Sequence, residues 1–175
     1  MMETVTTPAQ DAPSPLAPLA REWGWVAGSD WSALLAGMLA FAFTWLPYYS
    51  VTGAYGGLHV SARSDAWTGT AGWLAGLLAL GGALSVAWPL VNTSIGFSLW
   101  PWWSAAGFFV LATGAVIAAG LAIPGPDQAD YRRVTGVELT LHKGPAAGYW
   151  LSLFAILVGL VCVLVRLREL RREFS

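Results

Sequence analysis

The chain has 175 residues, 56% of them hydrophobic and 11% charged, with a formal net charge of −1 and a mean hydropathy of +0.57. Soluble domains carry about 25% charged residues, whereas here no Asp, Glu, Lys, Arg or His occurs from Ala66 to Pro126. So long an uncharged stretch excludes an ordinary soluble surface, and the lack of a basic stripe or nucleic-acid motif argues against a nucleic-acid partner.

Residues 1–22 are rich in Pro, Ala, Thr and acid, without the basic start and apolar core of a signal peptide. They have too little apolar surface to offset the entropy of ordering and read as a disordered cytoplasmic tail. Crossing ~30 Å of hydrocarbon takes about 20 apolar residues at ~1.5 Å of helix rise each. Four uncharged segments qualify: Trp31–Tyr49, Thr68–Leu90, Leu99–Ile123 and Ala147–Val165. Lipid offers no hydrogen bonds to the backbone, so these segments are expected to be helices. The expected fold is an all-α membrane protein, a bundle of four transmembrane helices.

The aromatic residues mark the same boundaries, since Trp and Tyr prefer the membrane–water interface. Trp23, Trp25 and Trp31 lead into the first span, and Trp45, Tyr48 and Tyr49 close it. Trp67 and Trp73 open the second and Trp88 ends it. Trp100, Trp102 and Trp103 open the third, Tyr149 and Trp150 the fourth. Arg166, Arg168, Arg171 and Arg172 follow the last span at once and read as a membrane-surface contact. By the positive-inside tendency they place both termini in the cytoplasm of a plasma-membrane protein, although Arg63, Arg132, Arg133 and Lys143 lie in the opposite loops. Within this tail Glu169 can pair with Arg172 at i, i+3.

The chain also repeats itself. Tyr48–Trp67 aligns with Tyr131–Trp150 without a gap: Tyr48 with Tyr131, Val51-Thr52-Gly53 with Val134-Thr135-Gly136, Leu58-His59 with Leu141-His142, and Trp67 with Trp150. The preceding spans align at a shorter offset, with Gly37 on Gly114 and Pro47 on Pro124, so the third loop carries an insertion near residues 125–130. Residues 23–98 and 99–167 thus read as two units, followed by a basic cytoplasmic tail at 168–175. Two spans per unit make the repeat parallel, with both matched loops on the outer face. Leu58–Ser61 and Glu138–His142 alternate as strands do, which predicts short β-strands in the two outer loops, paired into a small cap. Small residues at Gly37, Gly72, Gly76, Gly114 and Gly159 are expected to let helices approach closely.

Chemistry is sparse. His59 and His142 occupy matched positions and are weak candidates for a metal or haem, with Asp65 and Glu138 nearby. No catalytic motif is present, although Ser61 and Ser64 lie near His59 and Asp65. The spans carry no ionisable group of the kind coupled transporters use. Cys162 reads as a small buried hydrophobe. No enzyme activity and no cofactor is expected.

The loop residues LPYYS (46–50), GLHVS (57–61) and SDAW (64–67) resemble small, uncharacterised four-span membrane proteins of actinobacteria; the resemblance covers the spans and outer loops and carries no activity. The layout is similar in shape to claudin-like proteins, without their paired outer cysteines. The expected function is an accessory or scaffolding subunit whose partners are the lipid bilayer and a membrane protein, an envelope component or further copies of itself. An oligomeric transport or pore protein is the first alternative, and an outer-face metal, haem or enzyme site at His59 and His142 the second.

Overall fold

The structure is a computed structural model that describes residues 28–55, 58–68, 70–91, 99–123, 132 and 140–173. Four helices are described: α1 (Gly28–Phe43), α2 (Thr70–Val91), α3 (Trp100–Leu121) and α4 (Ala147–Glu173). Three of them, α2 to α4, are long and apolar enough to cross a membrane. Three strands lie between helices: β1 (Tyr49–Tyr55), β2 (Leu58–Ser64) and β3 (Thr140–Pro145). A 3-10 turn at Ala66–Thr68 joins β2 to α2.

The helices close into a ring, each packed on its neighbours in sequence and α1 packed on α4. The interior is built from alanine and glycine, including Ala33, Ala40, Ala75, Ala79, Ala105, Ala112 and Ala119. Small side chains bring the backbones close, so attraction comes from many short contacts. One large side chain fills the middle. Phe109 of α3 is fully buried, and a Cβ on Gly159 of α4 would meet its ring at 2.6 Å, one on Gly82 of α2 at 3.0 Å.

The first helix is shorter than the segment Trp31–Tyr49 expected from hydropathy. It stops at Phe43, and its 16 residues span about 24 Å. Pro47 disfavours helical backbone at the residue before it, and the chain leaves the helix through a tight turn. Thr44, Trp45 and Leu46 donate their N–H groups to the carbonyls of Phe41, Ala42 and Phe43. Tyr48 and Tyr49, expected at the helix end, instead lead into β1. At the other end of the chain α4 continues to Glu173, past Val165. Leu167 and Leu170 of that extension are buried, so residues 168–173 belong to the bundle.

The strands form one antiparallel sheet in the order β2-β1-β3. Strand β1 pairs with β2 through Thr52 opposite Ser61 and with β3 through Thr52 opposite His142. Its entry is fastened from both sides: Tyr48 donates to Ser64 O at 2.7 Å and accepts from Ala146 N at 2.9 Å. Gly148 N donates to Pro47 O at 2.8 Å, an approach that a Cβ at Gly148 would block at 2.9 Å from the same oxygen. The sheet therefore sits on the end of the bundle where α1 finishes and α4 begins.

Candidate functional site

The described charged side chains gather at the two ends of the bundle. At the arginine end, Asp30 in the first turn of α1 is fully buried. Its carboxylate faces Arg166 of α4, with Nε 3.3 Å from Oδ1. The Arg166 guanidinium lies 5.8 Å from the Trp102 ring centroid and reaches Glu169 at 3.5 Å. Arg166 is thus turned into the bundle, where it ties the start of α1 to α4 across the start of α3. It is not the surface contact expected of it, because a buried carboxylate demands a partner. Glu169 pairs with Arg166 rather than with Arg172. Arg168, Arg171 and Arg172 are exposed, and Arg171 stacks over Trp103 at 5.1 Å.

Trp102 is 3% exposed, whereas Trp100 is 76% exposed. Two residues apart on a helix are about 200° apart, so a W-x-W pair cannot present both rings to the same surroundings. The other tryptophans form two belts. Trp31, Trp88, Trp100 and Trp103 ring the arginine end and Trp45, Trp67 and Trp150 the sheet end, all of them exposed. Trp67 stacks on Trp73 at 6.4 Å and leans on Trp45 at 5.2 Å.

At the sheet end three tyrosines meet. Tyr48 packs edge-on against Tyr49 and Tyr149, with centroids 5.2 and 5.6 Å away. The Tyr49 hydroxyl rests over Gly72 and that of Tyr149 over Gly120, close enough that a Cβ at either glycine would collide with it. The Tyr48 hydroxyl is fully buried and completes no hydrogen bond among the described residues. Ser152, which lies toward it, donates to Ala40 O at 3.3 Å. Burial, then the neighbouring phenols of Tyr49 and Tyr149, push the Tyr48 hydroxyl far above the ordinary tyrosine range, against a small opposing pull from Ser152. Tyr49 is raised as well, by burial and by Tyr149.

The sheet places the histidines. His59 lies opposite Ala54 and His142 opposite Thr52, which puts both on one face of the sheet, on opposite sides of β1. Both are exposed. Two strand spacings and a two-residue stagger separate their Cα atoms by roughly 12 Å. No group of three or more His, Cys, Asp or Glu comes together among the described residues. Ser50, Thr52, Ser61 and Arg63 share this face by register. Ser50 donates to Gly144 O at 3.2 Å and Thr52 to His142 O at 3.5 Å. Asp65 caps the 3-10 turn, accepting from Trp67 N at 3.1 Å. Ser61 is exposed and Ser64 half-buried in β2.

Of the other positions singled out from the sequence, Val51, Thr52 and Gly53 lie in β1, Leu58 in β2 and Leu141 in β3. Trp67 sits in the 3-10 turn and Trp150 in the first turn of α4. Gly37 lies against Ala79 and Ala83, Gly72 against Ala66, Gly76 against Thr44, and Gly159 against Phe109, whereas Gly114 faces open space. Cys162 is half-buried beside the core. Tyr131, Val134, Thr135, Gly136 and Glu138 lie outside the described residues.

Asp30, Trp102 and the Tyr48–Tyr149 contact escaped the sequence reading. A signal for the first existed: an acid just before span one and an arginine just after span four must meet if α1 and α4 are neighbours at that end. The chain matches no family model, no curated protein and no solved structure.

Proposed function

We propose that the chain is a plasma-membrane protein whose four helices all cross the bilayer, and that it acts as an accessory or scaffolding subunit rather than as an enzyme or carrier. The observation that carries this reading is the pair of tryptophan belts flanking an interior filled by side chains. The belts fit the two interfaces of a membrane. Phe109 and the alanines occupy the axis between them, and the ionised Asp30–Arg166 pair sits at one end.

The first helix reaches the full thickness when its turn through Leu46 is added to Gly28–Phe43. The termini are assigned to the cytoplasm because Arg168, Arg171 and Arg172 follow α4. The sheet then faces outward as a rigid platform, with hydroxyl, imidazole and guanidinium groups on its exposed face. We read the two halves as parallel repeats. Supporting this, the matched segments Leu58-His59 and Leu141-His142 lie on opposite edges of β1 with registers that differ by two residues.

The test is photo-crosslinking in cells from positions Ser61 and Thr52, with Leu111 on the exposed face of α3 as a second site. A discrete adduct from either face, lost when the sheet or helix surface is altered, is expected. Solute flux through liposomes containing the purified protein, with no adduct from any site, would favour the transport reading instead.

A further inference from the structure

The polar face of the sheet carries a cation that has no structural partner among the described residues. Arg63 of β2 stands opposite Ser50 of β1, which stands opposite Gly144 of β3. The three form a row across the sheet where it meets the bundle, on one face of the pleat. Arg63 is exposed, and among the described residues no ion pair or hydrogen bond engages its side chain. Asp65, the acid nearest in sequence, is taken up by the 3-10 turn through Trp67 N. Gly144 ends the row without a side chain, and a Cβ there would meet only the Ser50 hydroxyl, at 3.9 Å.

Beside this row lies a partly enclosed cavity of about 300 Å³, lined by Pro47, Ser50, Arg63, Ala146 and Ala147. Sites for small molecules begin at about this size. Its walls are largely proline and alanine carbon, its one charge is the guanidinium, and its one side-chain hydroxyl is Ser50. Ser50 donates its proton to Gly144 O at 3.2 Å, which leaves its oxygen to accept. The depth of the cavity is set by its neighbours. Pro47 lies two residues from Trp45 and Ala147 three from Trp150, both tryptophans of the belt at this end. An anion held here sits at the level of lipid headgroups.

We propose that this cavity binds the phosphodiester of a lipid headgroup in the leaflet that meets the sheet end. Arg63 holds the two non-bridging phosphate oxygens with its planar fork, a match of shape and charge that a single ammonium does not provide. The Ser50 oxygen accepts from a headgroup hydroxyl, and Pro47, Ala146 and Ala147 cover the glycerol carbons. A headgroup with hydroxyls and a net negative charge, as in phosphatidylglycerol, is preferred over phosphatidylcholine, whose trimethylammonium has no proton for Ser50 and brings a second positive charge beside Arg63. The proposal rests on the membrane-spanning reading and not on the partner-binding one.

The test compares full-length wild type with Arg63→Gln and Ala147→Leu in mixed micelles of phosphatidylglycerol and phosphatidylcholine at equal amounts, with bound lipid counted by native mass spectrometry. The other basic residues are common to all three proteins, so the differences report on this cavity. Wild type is expected to retain one more phosphatidylglycerol per chain than Arg63→Gln and to prefer it roughly fivefold more strongly, given about 1 kcal/mol per basic side chain near an anionic surface. Ala147→Leu, which crowds the cavity and keeps the charge, is expected to lose the same lipid. Melting temperatures of wild type and Arg63→Gln in neutral detergent are expected to agree, because the side chain replaced is exposed and unpaired. The same phosphatidylglycerol count in wild type and in either variant would overturn the proposal. Glycerophosphoglycerol, the headgroup without its chains, is expected not to displace the lipid at millimolar concentration; displacement would overturn the lipid source in favour of a soluble phosphodiester. Failure of the spanning reading would show separately, in the sidedness of Ser61→Cys labelling on sealed vesicles, with the lipid counts unchanged.

Discussion

The two ends of the bundle meet the same difficulty with opposite chemistry. Each must bury polar groups where helices begin or stop. The arginine end uses full charges, Asp30 against Arg166 over Trp102. The sheet end uses neutral hydroxyls, Tyr48, Tyr49 and Tyr149, with backbone hydrogen bonds that fasten β1 to α4. A buried ion pair is sensitive to loss of one partner, because the survivor keeps its charge without compensation. A buried hydroxyl loses little when removed, and one without a partner gains from removal. The difference makes one end fragile to single substitutions and the other tolerant of them.

The largest effect is expected from Arg166→Met. It takes the guanidinium away from the fully buried Asp30 carboxylate and should cost about 3–5 kcal/mol, read as a fall in melting temperature in neutral detergent. The double variant Asp30→Leu/Arg166→Met should recover most of it. A double variant as unstable as the single one would mean that the pair is not the source of the fragility.

Next comes the centre, which belongs to neither end. Gly159→Val drives a side chain into the Phe109 ring and should cost about 1–3 kcal/mol by overpacking. Gly114→Val, where open space surrounds the site, should change stability little. Equal losses at the two glycines would contradict the wedge role of Phe109.

The sheet end should respond mildly and in the other direction. Tyr48→Phe removes an unbonded buried hydroxyl and should stabilise by about 1 kcal/mol. The sign of the pH dependence follows from its raised pKa. The folded protein holds the proton that the unfolded chain gives up near the ordinary tyrosine value, so stability is present below about pH 10 and falls as pH rises beyond it. Melting curves of Tyr48→Phe above that pH should be less steeply affected than those of wild type.

The smallest effect is expected at the histidines. They stand exposed on opposite sides of β1, so the His59→Ala/His142→Ala pair should stay within about 0.5 kcal/mol of wild type. A larger loss on chelation or on this double substitution would point to a metal bound between them.

How much of this was legible in the sequence differs between the ends as well. Hydropathy marks α2, α3 and α4 because an uncharged run of that length has few other fates, and the exposed tryptophans mark their limits. Strands at Leu58 and Leu141 could be read from alternation because one face of the sheet is polar. The end of α1 was overrun, since hydropathy continues through Trp45 and Tyr49 while Pro47 has already bent the backbone away. Asp30 goes unread and Trp102 is read as a boundary residue for one shared reason. Each looks like a boundary residue when its own helix is considered alone, and only the closure of the ring, with α1 beside α4 and Trp102 turned inward, converts them into a buried pair and its lid. Arg166 is the same case seen from α4: four arginines in a row of similar residues hide the one whose helical angle points into the core.

The short first helix makes the four-span claim the one to test most directly. In a Cys162→Ala background, Gly28→Cys, Ser61→Cys and Arg172→Cys can each be labelled with a membrane-impermeant thiol reagent on sealed vesicles of known orientation. Positions 28 and 172 are expected to react from the same side and position 61 from the opposite one. Reaction of positions 28 and 61 from the same side would show that α1 does not cross the membrane.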